Sequence, residues 1–271
     1  MTDRSVDSSR PERLGVALVT GAAGGIGREL SRQFARHGHD VIAVDRDEAG
    51  LARLERDLGS EPGTVVATVA LDLIEPDAPA RVAGRVDETG RAVDTLVNNA
   101  GVPVYGPFAE TDWADERAMI RLNVEALTAL TDQFLDDMCE RGRGRILNVA
   151  SIAGTVPTPT AAVYGATKAY VLSFSLALAE ELAGERVTVT ALCPGETDTG
   201  FMRRGGMERS AVAGGDLLEP EAVAKAGYEG AMAGTRIVVP GRRDRVRYHL
   251  SKLLPRRFAA RLTRRVWSGS Q

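Results

Sequence analysis

A run of apolar residues that passes directly into a glycine-rich turn constrains this chain more than any other feature. Residues 16–19 read Val-Ala-Leu-Val, and residues 20–27 read Thr-Gly-Ala-Ala-Gly-Gly-Ile-Gly. Glycines allow the main chain to approach a pyrophosphate closely, and the free N–H groups and dipole of a following helix favour an anion. The stretch therefore predicts a buried parallel strand, a tight turn and a helix N-terminus that together bind a nucleotide.

Beyond this turn, short apolar runs alternate with helical patterns, which predicts one α/β domain with a doubly wound parallel sheet of about seven strands and helices on both faces. The further strands are predicted at residues 41–44, 64–71, 93–97, 145–150, 187–193 and 236–239. Helices are predicted, among other places, at residues 48–58, 112–141, 161–183 and 219–232. Right-handed crossovers bring the carboxyl end of every strand to one edge, where the ligand crevice is expected. The residues that end strands there are Gly21, Asp45, Asp72, Asn98, Ser151 and Pro194.

Charge and composition divide the chain into three parts. Residues 1–13 are polar and charged without an apolar signal core, so a loose N-terminal tail of a cytoplasmic protein is expected. A folded domain is expected over residues 14–240, with a loop at about 199–218. The net charge is only −3, but residues 236–265 hold eleven Lys or Arg and a single acid. Residues 241–271 therefore predict a basic, partly helical extension.

The residue inventory argues against several other classes of protein. No apolar run is long enough to span a bilayer. The two cysteines, Cys139 and Cys193, lie far apart, and the three histidines do not cluster with other ligands, so neither a disulfide framework nor a metal site is expected. Nucleic acid is not an expected partner either, because base-stacking aromatics and a binding motif are lacking.

Tyr164 and Lys168 are spaced to share one face of a predicted helix. A phenol has a pKa near 10 and is a poor proton donor or acceptor at neutral pH, but a nearby ammonium or nicotinamide cation lowers that pKa. Ser151, at the end of the preceding strand, could hold the same substrate oxygen. Each feature alone is commonplace, since such a tyrosine is more often merely half-buried and such a lysine solvated. Their combination predicts proton transfer to or from an alcohol or carbonyl oxygen.

Taken together, the motifs of this chain resemble those of the short-chain dehydrogenase/reductase family over roughly residues 14–240. The matching motifs are Thr20-Gly21-x-x-x-Gly25-x-Gly27, Asn98-Asn99-Ala100-Gly101, Asn123, Ser151, Tyr164-x-x-x-Lys168 and Pro194-Gly195. The resemblance implies a Rossmann-type fold and an NAD(P)-dependent oxidoreductase that interconverts a secondary alcohol and a carbonyl by hydride transfer. It also implies a homodimer or homotetramer.

The same resemblance implies a role for individual residues. Tyr164 would be the general acid/base, and Ser151 would position the substrate oxygen. Lys168 would lower the pKa of the tyrosine and bind the nicotinamide ribose, and Asn123 would support a water relay. The implied cofactor-binding residues are Thr20, Gly21, Gly25, Ile26, Gly27, Asp45, Arg46, Asp72, Leu73, Asn99, Ala100, Gly101, Tyr164, Lys168, Pro194, Gly195, Thr197 and Thr199.

The choice of cofactor and substrate depends on less specific signals. Asp45 favours NAD, because a carboxylate there bonds both ribose hydroxyls and repels a 2′-phosphate. Arg46, directly after it, keeps NADP as the alternative. The expected substrate pocket is mostly apolar, which favours a hydrophobic alcohol or ketone. Its residues are Val102, Ser151, Ile152, Val156, Pro157, Phe201 and Met202.

Three alternatives stay open at this stage. Phe258, Leu262 and Val266 recur at helical spacing among arginines in the basic extension. This helix is expected either to dock on the acidic body, which is the rest of the chain, or on a neighbouring subunit, or to lie on an anionic membrane surface. Gly21, Gly24 and Gly27 also fit the pattern of longer sugar-nucleotide epimerases, which the chain length disfavours. A catalytically silent nucleotide-binding regulator or membrane-peripheral scaffold is the rival function, and the intact catalytic set argues against it.

Overall fold

The computed structural model describes residues 14–201 and 217–268, with side chains described as far as residue 264. The predicted N-terminal tail at residues 1–13 lies outside the described residues. So does most of the predicted loop at 199–218, including the expected substrate contact Met202.

Within the described residues, seven parallel strands form one sheet. The strands are β1 (Val16–Thr20), β2 (Asp40–Asp45), β3 (Val65–Ala70), β4 (Thr95–Asn98), β5 (Gly144–Val149), β6 (Val187–Leu192) and β7 (Ile237–Val238). Their order is β3-β2-β1-β4-β5-β6-β7, and every neighbouring pair is parallel. The order reverses direction between β1 and β4, and such a switch point opens a crevice at the carboxyl ends of the strands. The predicted fold class is confirmed.

Helices cover both faces of this sheet. The α-helices in the described ranges are α1 (Gly25–Arg36), α2 (Glu48–Leu58), α3 (Ala78–Glu88), α4 (Trp113–Ile120), α5 (Leu127–Glu140), α6 (Ala162–Glu181), α7 (Pro220–Met232), α8 (Arg242–Leu253) and α9 (Arg256–Ser268). Two short segments have a different helical geometry. Arg121–Ala126 is π-helical and joins α4 to α5, and Ile152–Thr155 is a 3₁₀-helix that follows β5. The long helix predicted at residues 112–141 is therefore interrupted.

The packing follows from the distribution of apolar residues. All five residues of β1 are buried, as expected for a central strand covered on both faces. Helix α1 buries Leu30 and Phe34 against the sheet and packs closely along α7. It ends at Arg36, and Gly38 follows with a φ of +84°, a left-handed conformation that glycine adopts readily.

By length and composition alone, α6 is apolar enough to cross a membrane, and no other described helix meets that test. Its residues Val171 and Ser175 are fully buried, and the helix packs against β5, β6 and the 3₁₀-helix. The same helix carries Tyr164 and Lys168 into the centre of the molecule. In this fold α6 therefore serves as a core helix, whose apolar composition reflects burial against the sheet.

Candidate active site

A cleft of about 440 Å³ lies along the carboxyl edge of the sheet. Most of the residues predicted for a cofactor and substrate line it. They are Gly21, Gly25, Ile26, Asp45, Arg46, Asp72, Leu73, Asn99, Ala100, Gly101, Val102, Ser151, Ile152, Val156, Tyr164, Lys168, Pro194, Gly195, Thr197, Thr199 and Phe201. The fold therefore brings residues from seven separate parts of the chain to one surface.

Four predicted residues of the described chain do not line this cleft. Thr20, Gly27 and Asn123 lie behind its wall, where they support residues that do. Pro157 is exposed beyond the 3₁₀-helix and does not line the cleft, so its contact with substrate stays a prediction.

Thr20 and Asn99 hold the glycine-rich turn against the end of β4. The Thr20 hydroxyl oxygen accepts hydrogen bonds from the backbone N–H groups of Asn99 and Ala100, both at 3.0 Å. The Asn99 side-chain amide donates to the carbonyl oxygens of Thr20 at 2.9 Å and Gly21 at 3.2 Å. These bonds position the turn at the floor of the cleft.

The turn has the features that a pyrophosphate requires. A Cβ atom added to Gly27 would lie 2.1 Å from the Gly21 carbonyl oxygen, so helix α1 can approach β1 this closely only with glycine at that position. The N-cap of α1, Gly24, provides no side-chain cap, and the first turn of the helix holds no acid. An open, uncapped helix N-terminus that faces the cleft suits an anionic group.

Asp45 and Arg46 differ in how firmly they are held. The Asp45 carboxylate accepts from the backbone N–H groups of Ala23 and Asp47, both at 3.0 Å. The Arg46 side chain is 67% exposed and lies 3.9 Å from the Asp72 carboxylate. The acid at the end of β2 is therefore fixed at the rim of the cleft, whereas the arginine is held by one long contact.

Tyr164 and Ser151 form the chemical centre of the cleft. Both are buried, and the Ser151 hydroxyl lies close enough to the Tyr164 phenol to influence its pKa. Ser151 also accepts from the Ala153 backbone N–H at 3.1 Å, which directs its side chain from the start of the 3₁₀-helix. The Phe201 ring, 5.9 Å from the Tyr164 ring between centroids, adds an apolar neighbour. Two hydroxyls in an apolar surrounding can hold one oxygen atom of a ligand and exchange a proton with it.

The pKa values of Tyr164 and Lys168 in the cofactor-free chain differ from the expectation that Lys168 lowers the pKa of Tyr164. Burial raises the pKa of Tyr164 to about 12, and the neighbouring Ser151 hydroxyl opposes that rise. The Lys168 ammonium donates to the Val149 carbonyl oxygen at 2.8 Å, and burial lowers the pKa of Lys168 to about 8. Desolvation therefore dominates both groups and favours their neutral forms.

Asn123 occupies the π-helical segment and ties three elements together. Its side-chain oxygen accepts from the Val102 backbone N–H at 3.0 Å, and its amide donates to the Val102 carbonyl oxygen at 3.0 Å and to the Thr167 hydroxyl at 3.2 Å. Because π-helical turns widen a helix locally, the segment can present Asn123 to the loop after β4. The residue thereby fixes the segment around Val102, which lines the cleft.

Sequence reasoning missed a set of cleft residues from the C-terminal helices and from the segment after Ser151. Both α8 and α9 border the cleft, although the sequence showed only that this extension is basic and helical. The missed residues include Thr155, Thr158, Arg247, Leu250, Ser251, Leu254, Ala259, Leu262 and Thr263. Leu262 already stood out as an apolar residue among arginines, which was the available signal.

A family model described as "short chain dehydrogenase" matches residues 15–209, and thus covers the turn, Ser151, Tyr164 and Lys168. The chain belongs to the short-chain dehydrogenase/reductase family. It is accordingly an oxidoreductase, as the names of its relatives also indicate, and the resemblance found in the sequence is confirmed.

Individual relatives of this short-chain dehydrogenase show the range of the family. The chain is 40% identical over 185 residues to a very-long-chain 3-oxoacyl-CoA reductase of Laccaria bicolor; the match covers 65% of this chain and 53% of that protein, about half its length. Among solved structures, a short-chain dehydrogenase of Sphingobium yanoikuyae in complex with NADPH has a TM-score of 0.76 at 30% identity, covering 89% of this chain and 96% of that one. A 3-ketoacyl-(acyl-carrier-protein) reductase of Brucella melitensis complexed with NADH has a TM-score of 0.73 at 30% identity, covering 85% and 98%.

Proposed function

We propose that this chain is an NAD(P)-dependent oxidoreductase that interconverts a secondary alcohol and a ketone or aldehyde, with Tyr164 as the general acid/base. The pairing of Tyr164 with the neighbouring Ser151 carries the proposal, because both side chains lie inside the cleft that the glycine-rich turn enters. The catalytic domain is proposed to span residues 14–240, with residues 241–271 as an extension that packs on it.

The residues around the turn are suited to hold the cofactor. The uncapped N-terminus of α1 would receive the pyrophosphate, Asp45 the adenosine ribose, and Asp72 with Leu73 the adenine. Lys168 would bind the nicotinamide ribose, and the segment from Pro194 to Thr199 the carboxamide. When bound, the nicotinamide supplies or accepts the hydride.

The proton is handled by the chain itself. In the reduction direction, Tyr164 donates its phenolic proton to the carbonyl oxygen while Ser151 donates a hydrogen bond to the same oxygen and stabilises its developing charge. The apolar neighbours Phe201 and Val102 exclude water from that oxygen. A pKa of about 12 makes the free-chain tyrosine a weak acid, so a repositioned Lys168 is expected to lower it in the loaded enzyme. In the oxidation direction, the positive charge of the oxidised nicotinamide would lower it further.

NAD is the proposed preference of the site. The relatives in complexes hold NADPH in one case and NADH in another, so the family as such leaves both open. In this chain two backbone N–H groups fix the Asp45 carboxylate at the rim, where it repels a 2′-phosphate. Arg46 is mostly exposed, and Asp72 lies close enough to offset its charge.

The proposed substrate is hydrophobic, since Val102, Ile152, Val156 and Phe201 surround the reacting position.

We also propose that the protein assembles as a homodimer or homotetramer and that it is located in the cytoplasm. The exposed face of α6 supports an interface, because Tyr170 is 39% exposed and stacks on Phe174 there. Light scattering coupled to size-exclusion chromatography measures the assembly directly. Peripheral membrane contact through α9 is the remaining proposal for a partner.

Fluorescence titrations with NADH and NADPH, followed by a dehydrogenase screen of hydrophobic secondary alcohols, test the function. We expect NADH to bind at least about tenfold more tightly than NADPH. Tyr164→Phe should lower kcat by roughly 10²-fold or more while cofactor affinity persists, because only the transferred proton is removed. Tyr170→Phe, a tyrosine on the same helix outside the cleft, is the matched control. Failure of wild type to bind either cofactor would refute the proposal.

A further inference from the structure

The two C-terminal helices close one side of the cleft with an apolar surface. On α8, Asp244 and Tyr248 are buried against the body of the protein, and the adjacent helix face places Leu250 and Ser251 at the cleft. On α9, Ala259 is 3% exposed and lies on the cleft side. Leu254, in the extended link before Pro255, completes this side with Leu262.

This apolar side lies next to the reacting groups. Helix α8 packs against the 3₁₀-helix that begins directly after Ser151. Its Tyr248 joins a buried cluster with Ala150 and Cys193, at the ends of β5 and β6. The adenosine end, marked by Asp45, lies beyond β1 on the opposite half of the sheet. The C-terminal helices therefore face the part of the cleft where a substrate approaches Tyr164.

The charge of this region disfavours an anionic substrate group. Arg247 borders the cleft, but its guanidinium donates to the Glu196 carboxylate at 2.9 Å and to the Asp244 carboxylate at 3.2 Å. Two carboxylates share one cation, so the cluster has no positive charge to offer a ligand. Glu196 itself lines the cleft and repels anions.

The leucines, in contrast, offer apolar area that a ligand would bury. Leu250 is 52% exposed, Leu254 39% and Leu262 56%, although all three line the cleft. Exposed leucines that converge on one cavity gain free energy when an apolar group displaces their water.

We propose that Leu250, Leu254 and Leu262 form a specificity wall, and that the substrate carbonyl or alcohol carbon carries an extended apolar substituent that lies along it. This inference rests on the proposed oxidoreductase function and names its substrate class. Arg247 positions this wall, because its contacts with Asp244 and Glu196 fix α8 to the segment after β6.

The chain offers matched pairs of variants for the test. Leu254→Ala and Leu262→Ala each remove a leucine of the specificity wall. Leu253→Ala is the control for the first, since Leu253 is 79% exposed and does not border the cleft. Phe258→Ala is the control for the second, since Phe258 is 62% exposed and lies outside the cleft on the same helix.

Calorimetric titration with butanone, hexanone and decanone, all methyl ketones, gives a binding readout free of turnover when the protein is loaded with the oxidised cofactor, which has no hydride to transfer. We expect affinity to rise with chain length in wild type, and both wall variants to lose roughly tenfold for decanone but less for hexanone. The controls should change affinity by less than about twofold. Affinity that does not depend on chain length, or equal losses in wall and control variants, overturns the specificity wall. Absent binding of NADH and NADPH in the same samples would instead overturn the proposed function.

Discussion

At Gly27 the close approach of helix and strand leaves no room for a side chain. A Cβ atom there would lie 2.1 Å from the Gly21 carbonyl oxygen, whereas a Cβ atom at Gly24 would meet nothing within 4 Å. We expect Gly27→Ala to lower the free energy of unfolding by about 2 kcal/mol, because α1 must shift away from β1. Gly24→Ala should cost only about 0.5 kcal/mol, since that position adopts an extended conformation open to any residue. Urea unfolding of both variants measures the difference, and equal losses would contradict the steric argument.

Lys168 should make the stability of the cofactor-free protein depend on pH. Burial lowers its pKa to about 8 from the ordinary value of 10.5, so between these pH values the unfolded chain binds a proton that the folded chain does not. Stability contributed by the group is therefore full above pH 10.5 and falls as the pH drops towards 8. The unfolding free energy of wild type minus that of Lys168→Met should therefore rise by about 3 kcal/mol as the pH increases from 8 to 10.5. A difference that stays constant would show that Lys168 is solvated.

Single residues were predictable where their chemistry depends on spacing in the chain. Tyr164 and Lys168 share a helix face because they are four residues apart, and Ser151 ends a strand whose apolar run is visible in the sequence. The raised pKa of Tyr164 was not predictable, because it depends on how fully the phenol is buried. The exposure of Pro157 was not predictable either, because nothing in the sequence indicated the 3₁₀-helix before it.

Among the elements, periodicity predicted the long regular ones well. Helix α2 has the predicted bounds, since an acid-rich start and a leucine-rich face define it. The π-helical segment at Arg121–Ala126 was missed, because one wide turn barely changes the apolar spacing of a helix of nearly thirty residues. The face of α8 that packs on the body was not predictable either. It depends on the close approach of the Asp244 carboxylate to Gly195, which lies far from it in the sequence.

Arg247 is the expected source of stability for α8. Burial and the neighbouring Glu196 raise the pKa of Asp244, while Arg247 opposes that rise. Arg247→Met would leave a buried carboxylate without its cation, so we expect a loss of about 3 kcal/mol in unfolding free energy. Adding Asp244→Asn should recover much of that loss, because the buried charge is then absent. Arg245→Met, on the exposed side of the same helix, is the control and should cost no more than about 0.5 kcal/mol.

A thermal-unfolding double-mutant cycle at neutral pH measures the coupling between Arg247 and Asp244. Lowering the pH should shrink the penalty of Arg247→Met, since a raised carboxyl pKa means that Asp244 takes up a proton more readily in the folded chain. Additive effects of the two substitutions would show that the ion pair does not hold the helix.

At the scale of the whole molecule, the basic extension and the acidic body are parts of one structure. The two interpretations left open by the sequence stay predictions: the buried Ala259 favours docking on the chain's own body, whereas Phe258 and Leu262 are 62% and 56% exposed. The parallel sheet and the crevice at its carboxyl edge were predictable from the alternation of strands and helices. The position of the C-terminal extension was not predictable, because an amphipathic pattern specifies an apolar face but not the surface that covers it.

This docking predicts weak interaction of the protein with lipid membranes. Ala259 is buried against the body, so the groups left for a membrane are arginines such as Arg257 and Arg261 with the exposed Leu253, Phe258 and Leu262. Each arginine near an anionic surface contributes about 1 kcal/mol and is screened within about 8 Å at physiological salt. We therefore expect no flotation of the full chain with vesicles of phosphatidylcholine and phosphatidylserine at physiological salt, and partial flotation at low salt. A chain truncated after Leu254 should float in neither condition. Salt-resistant flotation of the full chain that the truncation abolishes would show instead that α9 leaves the cleft and inserts into the bilayer.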